Sequence, residues 1–555
     1  MIRFLLAVSS LCWAQQPAVT QNGNLPPQTI QRIEAVFAKW NSPKSGGCAV
    51  SVRKGNGTPW QRGFGMANLE HDIPVTPQST FYLGSTSKQF TAMTVLLLAE
   101  RGKLRLEDPV RRWLPQLPEY LQPVTIRHLL EHTSGIRDYI TLWNLTNPQE
   151  DAALSEPAVS DILFRQKELN FAPGTEFLYS NSGYFLLSQI VRPAALRHLA
   201  DLADETVFRP LGMGSTRFYG DRFSLLPRRA TGYSPMAGQN DMIPGTVRIN
   251  SGTLDVTGDG GVFTSLEDFE KWDRVLASPQ ALFANAVTQM MTPVSLPSGD
   301  KAEYGMGLML RNVNGYDTVS HMGGLRGYRS DILRIPSENT TIICLCNSSD
   351  ADAGALARLI MEMILPPRKP AEIPKLSAAE LKRKAGAFQD RLTGDLLQIM
   401  VQNDMLIGDF NGFRMPLIAE TPMRFRGAGG PLRFEVEFRK NGDAEVPRFL
   451  RNEAESHRET AFERVQLMAA PADLAQYEGR FYSDEARATL EVQLRDGNLE
   501  LSQQDRAIGR MQPTTADRFH LGALNVEYVR NAAKSIEGLR LNTGRVRHLL
   551  FTKAK

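Results

Sequence analysis

The chain has 555 residues, 42% of them hydrophobic and 22% charged, with a formal net charge of +3. That length exceeds what one hydrophobic core serves, so two or three domains are expected in an otherwise ordinary globular composition. A charge this small, with no long basic run interleaved with aromatics, argues against nucleic acid as the main partner.

The chain opens MIRFLLAVSSLCWAQQ, where Arg3 precedes an apolar stretch that ends in small residues. Such a stretch is too short to span a bilayer and reads as a signal peptide over residues 1–14, cut after Ala14. A secreted or periplasmic protein without a stable membrane span after cleavage is therefore expected. Three cysteines then remain: Cys48, Cys344 and Cys346. The last two share one face of the strand-like run TIICLCN, and an oxidising compartment permits Cys48 to bridge either of them. Buried unpaired cysteines acting as small hydrophobes are the competing reading.

Residues 26–366 mix strand and helix patterns. GGCAVSVRKG reads as a strand entering a turn, QFTAMTVLLLAERGK as an amphipathic helix closed by Gly102, and TIRHLLEHTSG as a short helix stopped by Thr-Ser-Gly. TVSHMGG, YRSDILRIP and TTIICLCNSS form a run of strands. That order predicts an α+β domain, an antiparallel sheet with flanking helices and a helical middle section. Proline-rich residues 367–375 read as a linker. Beyond it the pattern is all-β and repeats: YEGRF at Gly479 matches AGAF at Gly386, and TLEVQLRDGNLEL at 489–501 matches LLQIMVQNDMLIG at 396–408. Two small barrel-like domains, 376–466 and 470–555, are expected.

Ser-x-x-Lys is chemically useful at a helix start, because residues i and i+3 lie on one face, roughly 5–6 Å apart at Cβ. The unpaired N–H groups there also face a developing oxyanion. The lysine becomes a competent base only when burial or neighbouring cations lower its pKa. The pattern occurs three times. Ser51 and Lys54 sit on an alternating strand and point to opposite faces, and Ser298 and Lys301 lie in a Pro/Gly-rich loop. Only Ser85 and Lys88 follow a strand-like FYLG and open a long helix; standing alone, Ser85 reads equally well as a capping serine. Tyr179-Ser180-Asn181 follows the turn Ala172-Pro173-Gly174. The Tyr179 hydroxyl can shuttle a proton, and the Asn181 amide can hold a substrate amide and orient the lysine. Taken singly, Tyr179 is more often a core aromatic. His321-Met322-Gly323-Gly324 follows a strand, and its glycines let a substrate backbone lie against the strand edge with the Gly324 N–H aimed at the carbonyl oxygen.

The order Ser85-x-x-Lys88, Tyr179-x-Asn181, His321-x-Gly323 resembles the penicillin-recognising serine hydrolases. The branch is the one holding class C-type β-lactamases, D-Ala-D-Ala carboxypeptidases, esterases and D-aminopeptidases. Flanking segments NLEHDIPVTPQSTFYLGSTSK, TIRHLLEHTSG, FAPGTEFLYSNSGY, FRPLGMGSTRF and GDGGVFTS are similar to that family too. The resemblance implies a β-lactamase/transpeptidase-like fold and an acyl-enzyme on Ser85. Lys88 and Tyr179 would move protons, while Asn181, His321, Gly323 and Gly324 would serve substrate and oxyanion. It implies no cofactor and no metal, and substrates that are small peptides, amides or esters, including cell-wall-derived ones. D-configured residues are favoured. Rival expectations are a small-ester esterase or weak β-lactamase with the same residues, and a non-catalytic penicillin-binding or sensor protein.

His321 stands where β-lactamases usually carry a lysine, and an imidazole anchors a carboxylate less firmly than a fixed cation. β-Lactam hydrolysis is therefore not expected as the main activity. His128-Leu129-Leu130-Glu131-His132 spells an inverted zinc-protease motif, but the helix ends at once and the resemblance makes it structural. The trailing β units resemble those of D-aminopeptidases, which lend a loop to the active site; the glycine-rich stretch from Gly427 to Pro431 is the candidate loop, with an ordinary hairpin turn as the alternative.

Overall fold

A computed structural model describes residues 19–554, except 22–24, 147–153, 222–223, 237–245, 252–253, 300, 367, 369–373, 428–433, 442–443, 453–455, 460–461, 469–472 and 505. The proposed signal segment and most of the Gly427–Pro431 stretch lie outside the described residues.

The hydrophobic runs near both ends of residues 26–366 meet in one antiparallel sheet. Its neighbours run, in order, Val19–Gln21, Trp60–Phe64, Cys48–Lys54, Thr340–Cys346, Tyr328–Ile335, Tyr316–Leu325 and Met309–Val313. Thr340–Cys346 is buried on both faces, because helices Pro27–Val36 and Ala353–Ile364 cover one side and Leu266–Ala277 the other. Burial on both faces explains why TTIICLC lacks polar alternation. Cys48 and Cys346 are direct cross-strand neighbours and form a disulfide, while Cys344 is a buried thiol.

The helix after the first strands spans Lys88–Glu100 and differs from the expected amphipathic pattern: Lys88 through Leu98 are buried without interruption. It runs through the middle of the domain, so it has no solvent face to pattern. Ser51 of the first Ser-x-x-Lys pair is buried and donates to Glu270, whereas Lys54 is exposed. Ser298 and Lys301 are exposed in a turn.

Residues 386–465 and 479–553 form two nearly closed antiparallel sheets. The repeat seen in the sequence is realised in detail. Gly386 and Gly479 each open the first strand of their sheet with φ near +150°. A Cβ at either would collide with a cationic side chain of the closing strand, Arg464 in one unit and Lys553 in the other. Those same cations lie over Phe388 and Phe481.

Both units touch the hydrolase-like region beside Tyr179. Ser456–Glu459 pairs with the short strand Phe177–Leu178. The turn between Ile536–Thr543 and Val546–Lys553 reaches further, carrying Arg545 onto the Tyr179 ring. Among the described residues, the turn that reaches Tyr179 is thus a tight hairpin turn in the second unit.

Candidate active site

Gly84–Ser87 forms a 3-10 turn that runs directly into the Lys88–Glu100 helix, so Ser85 stands at the helix N-terminal end. The turn and the residue before it are clamped to the strands Tyr316–Leu325 and Tyr328–Ile335. The Thr86 hydroxyl donates to the His321 carbonyl at 2.9 Å, and the Ser330 hydroxyl donates to the Leu83 carbonyl at 2.6 Å. Gly84 has a φ of +53°, and a Cβ there would sit 2.6 Å from the Gly324 nitrogen. Only glycine allows the Gly324 N–H to come this close to the turn that carries Ser85. Pairing with Met309–Val313 ends at Ser320, so Met322–Leu325 has an open edge on that side among the described strands.

Lys88 is wholly buried, and its Nζ meets three oxygens: Asp259 O at 2.7 Å, Asn181 Oδ1 at 2.8 Å and Ser85 Oγ at 3.3 Å. Three acceptors for three ammonium protons fix the amine beside the serine. Burial pushes the lysine well below its ordinary 10.5; Asp259 opposes that shift, Arg545 adds to it, and Asp138 opposes it. Asn181 is itself oriented by Asp138, whose Oδ2 accepts from the Asn181 backbone N–H at 2.7 Å and from its Nδ2 at 2.8 Å. That turns the amide oxygen toward Lys88. Asp259, whose Oδ2 accepts from Tyr139 at 2.8 Å, is raised above the usual carboxylate range by burial.

Tyr179 is packed between His132, 4.2 Å away ring to ring, and two cations, Arg545 at 4.7 Å and Lys88 Nζ at 4.8 Å from its centroid. Its hydroxyl is buried without a well-aligned hydrogen bond, yet Ser85 is the side chain that acts on it most closely. Burial raises the phenol's pKa, while Ser85 and Arg545 pull it down. His132 holds this segment in place: its Nδ1 accepts from the Ser180 N–H at 3.1 Å. His128 is used differently, its Nδ1 accepting from the Thr125 N–H to close the helix cap. The two histidines of the inverted zinc motif thus serve backbone groups, and no metal-ligating cluster occurs among the described residues.

Ser85, Lys88, Tyr179 and Asn181 therefore converge, with Gly323 and Gly324 on the adjoining strand. The His321 ring has no exposure: its Nε2 meets the Tyr304 hydroxyl at 3.1 Å and its Nδ1 the Met322 carbonyl at 2.7 Å. Burial, with Lys88 nearby, lowers its pKa to about 3, so it is neutral at ordinary pH.

A model of the Beta-lactamase family matches residues 32–363. The chain belongs to the Beta-lactamase family. It is 30% identical over 414 residues to penicillin-binding protein 4* of Bacillus subtilis, covering 71% of this chain and 90% of that protein. It is 28% identical over 362 residues to a D-aminopeptidase of Gluconobacter oxydans, covering 65% of this chain and 66% of that protein. The octameric penicillin-binding protein homologue of Pyrococcus abyssi shares the fold, with a TM-score of 0.54 at 23% identity over 77% of this chain and 99% of that one. This Beta-lactamase-family chain is thus a serine hydrolase with a β-lactamase/transpeptidase-like fold.

Four residues of the site escaped sequence reasoning. Asp259 lies in a segment read only for resemblance and Asp138 just beyond one, and nothing in their spacing ties them to Asn181 or Lys88. Tyr304 and Arg545 carry no motif at all; only the fold brings them to Tyr179.

Proposed function

We propose that this site hydrolyses amides or esters at a D-configured residue by acyl transfer through Ser85. The observation that carries the reading is the buried Lys88 amine, held against Ser85 Oγ by Asn181 and Asp259 and shifted toward its neutral form. Neutral Lys88 takes the Ser85 proton as Oγ attacks the scissile carbonyl. The Ser85 and Gly324 N–H groups receive the oxyanion. Tyr179 relays a proton from the protonated Lys88 to the leaving group and, in the second half, from the attacking water back to Lys88, which returns it to Ser85 as the acyl group leaves, so the buried phenol stays neutral between steps. The D-aminopeptidase relative supports the choice of D-residues.

The test is a panel of D- and L-amino-acid p-nitroanilides, p-nitrophenyl esters, D-Ala-D-Ala peptides and a chromogenic cephalosporin, run alongside fluorophosphonate labelling. Covalent label on Ser85 with faster turnover of D- than L-substrates is expected. Label elsewhere, or preference for L-substrates, refutes the reading.

A further inference from the structure

Of the three oxygens around the Lys88 amine, one belongs to the backbone of a residue that is itself ionisable. Asp259 lends its carbonyl to Nζ at 2.7 Å, and its buried side chain is held by Tyr139, whose hydroxyl donates to Oδ2 at 2.8 Å. The segment is stitched to the helix and turn that carry Lys88 and Ser85. The Thr91 hydroxyl donates to the Gly258 carbonyl at 2.7 Å, the Tyr82 hydroxyl accepts from the Gly261 N–H at 3.0 Å, and Ser87 Oγ accepts from the Val262 N–H at 3.1 Å. Gly258 has a φ of +111°, and a Cβ there would lie 2.4 Å from the Tyr184 carbonyl oxygen. Tyr139 is fixed in turn, its N–H donating to Ser182 Oγ at 2.9 Å. Two adjacent residues thus govern both acceptors of the amine other than Ser85: Asp138 turns the Asn181 amide, and Tyr139 holds the Asp259 carboxyl.

Many of the ionisable groups around the amine carry no charge. Burial keeps His132 and His321 neutral, and it holds the phenols of Tyr82, Tyr139, Tyr179, Tyr184 and Tyr304 protonated. Among the described residues, the charged groups that act on Lys88 are Asp259, Arg545 and Asp138. Burial by itself drives the amine toward its neutral form, and a feebly basic amine takes a proton poorly. Asp259 is the largest influence in the opposite sense. Burial raises the Asp259 carboxyl, while Lys88 and the Tyr139 hydroxyl pull it back toward ionisation.

We infer that Asp259 is a positioning residue for the Ser85 reaction: a counter-charge, held by Tyr139, that keeps the buried Lys88 amine basic enough to take the serine proton. The inference rests on the acyl-transfer reading above and deepens it, by assigning the residue that sets where on the pH scale the site becomes active.

The test follows the rate at which a fluorophosphonate labels Ser85 in the full-length protein, from about pH 5 to about pH 11. In the parent the rate should rise along one limb to a plateau. Asp259→Asn keeps an acceptor for Tyr139 and removes the charge. Its limb should move to lower pH by about one unit, a tenfold change in proton concentration, and its plateau should fall because the weaker base takes the proton less well. Tyr139→Phe, which deprives the carboxyl of its donor, should move the limb in the same direction but less far. Thr91→Val is the control: it loosens the same loop at the Gly258 carbonyl without altering any charge, so its limb should stay at the parental pH. A limb that stays put or moves upward in Asp259→Asn overturns the inference. A Thr91→Val limb that moves as far as that of Asp259→Asn overturns it as well, since a loop needed only for its shape would behave so. Should Asp259→Asn fail to fold, Tyr139→Phe decides in the same terms, and an unmoved limb there overturns the inference. Failure of the acyl-transfer reading looks different: no label on Ser85 of the parent protein at any pH.

Discussion

Gly323→Ala separates a positional requirement from a merely local one. A Cβ at Gly323 would lie 1.8 Å from the Leu83 carbonyl oxygen, 2.6 Å from Ser330 Oγ and 2.9 Å from Thr86 Oγ1. Non-bonded contacts become favourable at roughly 3.5 Å, so the strand must retreat from the Ser85 turn by more than an ångström. The retreat breaks the Thr86–His321 and Ser330–Leu83 bonds that clamp the two together. Overpacking of about 1–3 kcal/mol plus two lost bonds of about 1 kcal/mol each gives a destabilisation of roughly 3–5 kcal/mol. Displacing the Gly324 N–H by that distance should slow acylation about a hundredfold. Gly324→Ala is the control, since the nearest atoms to its Cβ would be those of the Arg329 side chain, at 3.3 Å and beyond. Urea unfolding followed by intrinsic fluorescence reads the first quantity, and fluorophosphonate labelling rates read the second. Equal behaviour of the two alanine variants, or a Gly323→Ala protein as stable and as fast as the parent, would refute the reasoning.

Because burial depresses Lys88, kcat/KM should rise with pH along a limb centred well below 10.5; a limb at the ordinary lysine value would show that the amine is not the base. Asp138→Asn should lower acylation by at least tenfold while the fold survives, since an amide facing Asn181 no longer fixes which way it turns; labelling rates at parental thermal stability check this. His321 is neutral in the fold down to about pH 3 but titrates near 6.5 when unfolded, so the unfolded state gains a proton that the native state refuses. Stability should therefore fall as pH drops from 6.5 to about 3, by on the order of 4 kcal/mol from this residue, and urea midpoints in His321→Phe should show a shallower slope. His321→Lys should destabilise by about 3 kcal/mol without creating a β-lactamase, because the ring it replaces is buried beside another amine; faster cephalosporin turnover would contradict this. Alkylation of the native protein should leave Cys344 unmodified, and reduction of Cys48–Cys346 should cost about 2–4 kcal/mol.

The local part of the site was legible because its chemistry is written in short spacings. Ser85 and Lys88 are one helical turn apart, and Tyr179 and Asn181 straddle a strand-to-helix junction. The core strands were legible from runs such as TTIICLC. The Lys88–Glu100 helix was misjudged as amphipathic because Gln89, Thr91 and Thr94 imitate a polar face; each is buried, Thr91 and Thr94 donating to carbonyls and Gln89 accepting from Trp272. The disulfide partner could not be chosen from the sequence, since Cys344 and Cys346 share a face; register decides it, placing Cys346 opposite Cys48 and Cys344 opposite Val50. Arg545 was beyond reach, because its place on the Tyr179 ring comes from how two distant chain segments dock rather than from its neighbours in sequence.

The matched glycines, aromatics and cations of the two β units describe an internal duplication that has since divided its labour. Gly386, Phe388 and Arg464 in one copy answer to Gly479, Phe481 and Lys553 in the other. Both copies lean on the Tyr179 segment, one through the strand pairing of Ser456–Glu459 with Phe177–Leu178 and the other by laying the Arg545 side chain on the tyrosine ring. A surface that began as one repeated scaffold thus holds two independently variable handles on the same tyrosine. The second copy's hairpin can change what lies on the Tyr179 ring while the first keeps the Phe177–Leu178 strand paired, leaving the Ser85 neighbourhood unaltered.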